Sequence, residues 1–176
     1  MSPSPTPDSS PTPALRGLQI VVGSMTAGII LIGIAFALIL PLAAPPVLGV
    51  VGLVVLAASL HLLIERAGYR AAPLPPGATV ARTRQVAQAT FQRLLFIRAI
   101  LAETPALAGI VVAFVVVPSS WFTYAVGAAL ALVLVTRHAW PTSRTVDRVV
   151  AVLEAGGTPS GIHEVLGLPD EQDRSG

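Results

Sequence analysis

Four long apolar runs, at residues 17–40, 46–64, 94–117 and 121–135, constrain this chain more than any other feature. An α-helix rises 1.5 Å per residue, so about 20 residues cross roughly 30 Å of hydrocarbon. The first and third runs have that length with ease, the second is adequate and the fourth is slightly short. Trp121, Tyr124 and Trp140 frame the fourth run as interfacial anchors, which extends it to a span over 121–137. Only 11% of the residues are charged, against about 25% in a typical soluble domain. The mean hydropathy is +0.76. The expected fold is all-α: one integral membrane four-helix bundle over residues 16–140.

Charge placement orients that bundle. The connections at 41–45 and 118–120 carry no charge, whereas Arg16, Arg66, Arg70, Arg82, Arg84, Arg93, Arg137, Arg144 and Arg148 all fall on the other side. An excess of arginine in short loops marks the cytoplasmic face, so both termini are expected inside. The two uncharged links are so short that helices 1 and 2, and helices 3 and 4, are expected to form antiparallel hairpins. The first run is too long for a signal-peptide core and is followed at once by another span, so it is expected to be retained.

The polar parts are modest. Residues 1–15 alternate proline with serine, threonine and aspartate and predict a disordered tail. The loop at 65–93 is proline-rich around 68–77, and from Thr79 a helical period begins with Val80, Val86, Ala87, Phe91 and Leu94. Helix 3 should therefore start there and run unbroken into the membrane. In the cytoplasmic tail, 141–176, Thr142 or Ser143 can cap a short helix with Val146, Val149, Val150 and Leu153 on one face. A second short helix is expected in 158–169. These helices can pack on the base of helix 3 or meet a partner protein.

One locus stands out inside the third run: Glu103, Thr104 and Pro105. Glu103 lies about nine residues into the span, roughly 13 Å deep and close to the bilayer middle. An acid there costs about 3 kcal/mol on insertion scales, which the surrounding aliphatic residues can offset. Such a carboxylate should face protein or a water-filled cavity, and it is a candidate site for a proton, an ion or a helix contact. Arg98 does not fit as its partner, being about 140° away around the helix and able to reach the headgroups. Thr26 of helix 1 falls level with Glu103, Ser24 lies one turn shallower and Ser59 of helix 2 shallower still. A Thr26–Glu103 contact is expected. Ala99, Ala102, Ala106, Gly109 and Ala113 form a small-residue seam beside the acid, for which Gly23, Ala27, Gly28 and Gly33 of helix 1 are the expected counterpart. Pro105 removes the hydrogen bond to the Leu101 carbonyl and should kink the helix.

His61 and Glu65 stand one turn apart at the end of helix 2 and read as an interfacial pair. No metal-binding spacing, P-loop, dinucleotide fingerprint or nucleophile motif occurs, and there is no cysteine. No enzymatic activity, cofactor or metal is expected. A net charge of +2 with scattered arginines gives no nucleic-acid footprint.

Two resemblances follow from these residues. "ALRGLQIVVGSMTAGIILIGIAF" in helix 1, "LLFIRAILAETPALAGIVVAF" in helix 3 and "RHAWPTSRTVDRV" after helix 4 resemble a widespread family of small four-span bacterial membrane proteins. This implies a four-span topology in the inner membrane and supplies no mechanism. Separately, "ILAETPALAGIVVAF" is similar to the proton-carrying helix of the ATP-synthase proteolipid (c subunit), with Glu103 in the place of the exchanged acid. That similarity covers one helix. The present chain has four spans rather than two and lacks the polar Arg-Gln-Pro loop. Two functions are consistent with the sequence. One is a non-enzymatic accessory or scaffold protein with Glu103 in a polar helix contact, meeting a protein partner or a second copy. The other is a proton- or ion-coupled transport component using Glu103.

Overall fold

The computed structural model describes residues 12–168; positions 1–11 and 169–176, which hold most of the expected N-terminal tail and the end of the C-terminal one, lie outside it. Six α-helices follow in order: α1 (Pro13–Ala37), α2 (Val47–Ala67), α3 (Val80–Val115), α4 (Trp121–Leu134), α5 (Ser143–Leu153) and α6 (Ile162–Leu166). α4 runs directly into a π-helical turn, Val135–Ala139. There is no strand among the described residues. Four helices are long and apolar enough to cross a membrane, the fourth being α4 together with its π turn, Trp121–Ala139.

Local signals account for the ends. Pro13 opens α1, and the Thr12 hydroxyl accepts from the Leu15 amide, so the helix reaches three residues into the segment expected to be tail. Thr79 caps α3, whose 36 residues form one unbroken helix through the kink-prone Pro105. Thr142 and Thr145 form a reciprocal capping box at the start of α5.

Burial is uneven. Half of the apolar window of α4 is buried (50%), against 11% in α1, so α3 and α4 are the inner pair. The α3 seam is buried along its length (Ala99, Ala102, Ala106, Gly109 and Ala113), and its counterpart is α4 rather than the helix 1 glycines. A Cβ placed on Gly127 of α4 would lie 2.5 Å from the Pro105 carbonyl oxygen and 3.0 Å from the Gly109 Cα. Only glycine allows the two backbones to come this close. By contrast, Gly23 and Gly28 of α1 have open space beside them, and Ala27 is exposed.

α2 packs on both α3 and α4, and α1 chiefly on α4; α1 and α2 do not pack extensively on each other. Two aromatic side chains pin α1 to α4. The Tyr124 hydroxyl donates to the Ile29 carbonyl at 2.6 Å, and the Trp121 indole donates to the Gly33 carbonyl at 2.8 Å. Tyr124 is buried, so it joins two helices and is not a headgroup anchor. Its hydroxyl finds a backbone acceptor because a buried phenol without a partner is costly.

At the arginine-bearing end, Val146, Val149, Val150 and Leu153 of α5 and Ile162 and Leu166 of α6 join Ala87, Phe91, Leu94 and Leu95 of α3 in one apolar cluster. The Leu74 amide donates to the Leu153 carbonyl at 2.8 Å, tying the proline-rich loop to the end of α5. The Thr12 hydroxyl donates to the Val165 carbonyl at 3.2 Å. The short C-terminal helices thus fold onto the base of α3.

Gly127→Ala is expected to destabilise the bundle by about 1–3 kcal/mol through backbone overpacking, whereas Gly28→Ala leaves stability unchanged. Equilibrium unfolding in detergent micelles measures both; equal effects would refute the α3–α4 seam as the tight contact.

Candidate functional site

Two polar loci among the described residues hold the candidate site residues. The first surrounds Glu103. Its side chain lines a cleft of about 210 Å³ between α1, α3 and α4, with Met25, Gly28, Ile29, Ile32, Ala106 and Tyr124 on the walls. Glu103 is half-buried, and among the described residues its carboxylate has no hydrogen-bond or ion-pair partner. The helix contact expected for it inside the chain is not made.

The reason lies in where the hydroxyls go. Thr26, level with Glu103, donates to the Val22 carbonyl of its own helix at 3.0 Å. Ser24 donates to Val21, Ser59 to Val55 and Thr104 to Ile100 in the same way. A hydroxyl in apolar surroundings reaches the carbonyl one turn back more readily than a group on another helix. The expected Thr26–Glu103 contact is therefore replaced by four local bonds. Pro105 is buried on the seam against Gly127.

The second locus lies at the arginine-bearing end and gathers side chains from α2, α3, the π turn and α5. His138, fully buried on the π turn, faces His61 of α2, with Nε2 of His138 2.8 Å from Nδ1 of His61. The other nitrogen of His138, Nδ1, lies 3.3 Å from the Tyr69 hydroxyl and 3.8 Å from a Glu65 carboxylate oxygen. Glu65 in turn receives both terminal nitrogens of Arg148 from α5, at 3.1 and 3.0 Å. This bidentate bond to Glu65 holds the Arg148 guanidinium above its ordinary range. One ligand atom from each of His61, Glu65 and His138 lies within 4.8 Å of the other two.

Tyr69 is the centre of this arrangement. The Arg98 guanidinium sits over its ring at 4.4 Å from the centroid and that of Arg148 at 4.9 Å. Arg98 is 1% exposed and does not snorkel outward; its Nε donates to the Leu94 carbonyl at 3.2 Å. A buried guanidinium is held by the ring's negative face, which attracts a weakly hydrated cation. Gly68 makes this possible, since a Cβ there would lie 3.0 Å from Cγ of Arg98 and 2.8 Å from the Ile64 carbonyl.

Spacing along the chain brings out half of this site. His61 and Glu65 are one turn apart, and Tyr69 follows four residues later, just past the end of α2. His138, Arg98 and Arg148 arrive from distant segments, and no periodicity announces them. His138 lies fully buried on the π turn, and π turns recur at functional positions. Comparison with protein-family models, with curated proteins and with solved structures returns no match.

Tyr69→Leu is expected to cost about 2 kcal/mol or more, because it leaves a buried arginine without the ring that receives it. Tyr69→Phe keeps the ring and loses only the hydroxyl bond, so it should cost about 1 kcal/mol. Chemical unfolding of the two variants in micelles separates these effects, and equal losses would count against the cation–ring contact.

Proposed function

We propose that the chain is a non-enzymatic integral membrane protein of the bacterial inner membrane, an accessory or scaffold protein that binds another transmembrane segment at the Glu103 cleft. The arginine distribution supports cytoplasmic termini. The observation that carries the reading is a carboxylate on an apolar cleft, within the apolar stretch of a helix fit to cross a membrane, with no partner among the described residues. Leaving such a group unpaired in hydrocarbon is costly. An apolar helix bearing one hydrogen-bond donor would relieve that cost. Gly28 and Ala106, on the cleft walls, let its backbone approach closely.

The apolar cleft walls favour packing over conduction, because a path for protons or ions needs polar groups or water along its length. Transport through Glu103 is the competing outcome.

A photo-crosslinking side chain at Leu107, exposed beside the cleft, tests the proposal in intact membranes. A protein adduct is expected, formed with a second copy or another membrane protein. An intramembrane hydrogen bond is worth about 0.6–1.7 kcal/mol. Glu103→Leu should therefore reduce the adduct roughly three- to fifteenfold, while Glu103→Gln, which keeps hydrogen bonding, preserves it. Adducts to lipid alone, indifferent to Glu103→Leu, would refute the reading. Loss of pH-driven flux in liposomes on Glu103→Gln would replace it with transport.

A further inference from the structure

We propose that His61, Glu65 and His138 form a binding site for a borderline-soft divalent cation of the zinc class. Two imidazole nitrogens that face each other at 2.8 Å must either share one proton or hold a common third atom. Zinc accepts imidazole nitrogen at about 2.0–2.1 Å and carboxylate oxygen at about 2.0–2.2 Å. Two nitrogens in one tetrahedral shell therefore stand roughly 3.3 Å apart, so the rings need open by only about half an ångström. Glu65 already offers an oxygen within the same 4.8 Å cluster. Two imidazoles and one carboxylate are a zinc-class donor set, and they leave a fourth position for water.

The surroundings suit a metal-ligating histidine. When Nδ1 of His138 carries the proton it donates to Tyr69, and Nε2 then presents its lone pair toward His61. In that tautomer the outer hydrogen bond holds the ring plane, the usual support of a liganding histidine. His138 is fully buried while His61 and Glu65 are half-buried, so the site opens on the side of α2. Arg148 does not close it. A carboxylate has about four acceptor positions, and the two bonds from Arg148 leave capacity for a metal on the same group. The donor set itself disfavours hard dications, which need several oxygen ligands, since only Glu65 supplies one. Magnesium and calcium are thus disfavoured relative to nitrogen-seeking metals.

The test uses the full chain in detergent or nanodiscs, with any histidine tag removed and trace metal stripped by a chelator. Titration with zinc chloride, followed by equilibrium dialysis and elemental analysis, should give one zinc per chain. Cobalt chloride should give the visible absorption bands of a tetrahedral complex, which hydrogen bonding between two histidines cannot produce. His61→Gln and Glu65→Gln, both on half-buried positions, should each weaken zinc binding by about ten- to a hundredfold, and Tyr69→Phe by about tenfold. His163→Gln, on α6 and outside the cluster, should change nothing. No binding up to millimolar zinc would overturn the site. So would binding that survives both His61→Gln and Glu65→Gln, because the metal would then sit elsewhere on the surface.

Discussion

The approach of Gly127 to the Pro105 carbonyl and the Gly109 backbone is the contact on which the rest of the bundle depends. Lipid chains are as apolar as leucine, so burial gives helices in a bilayer little reason to associate, and close packing of small residues supplies the attraction. With α3 and α4 locked at backbone distance, the rotation of α4 about its axis is fixed. Tyr124 and Trp121 then meet the carbonyls of α1, and the end of the helix meets α2. The outer helices take their places from this inner pair, which is why α1 has so little buried surface of its own.

The two polar loci differ in kind. At the arginine-bearing end the charges around Tyr69 have company: a ring against two guanidiniums, a carboxylate in a fork, and a histidine pair behind them. Side chains from α2, α3, the π turn and α5 meet there, so the arrangement also fastens α5 to the bundle. Glu103 has no such company. One locus closes the fold and the other leaves it open.

Much of the fold was legible in the residues. Four apolar runs gave four helices of spanning length, the period starting at Thr79 gave the unbroken α3, and the face of Val146, Val149, Val150 and Leu153 gave the buried side of α5. Such features repeat along one segment, and a linear reading sees them. The small-residue seam was visible too, but its partner was not. Glycines at five-residue spacing in α1 look as suitable as the single Gly127, and only the third dimension chooses between them. The candidate site divides in the same way. His61 and Glu65 share a helix face, whereas His138 reaches them from 77 residues away. Arg98 looked free to stretch toward water because its ring partner belongs to another segment.

The π turn at Val135–Ala139 holds one residue more than an α turn would. The wider turn rotates less per residue than an α-helix, so its side chains fall behind the phase of α4 before the helix ends at the extended Trp140. Residues up to Leu134 therefore keep the phase that the glycine seam demands, while His138, on the π turn, follows a separate one. The bundle carries a phase break between its packing and its polar chemistry.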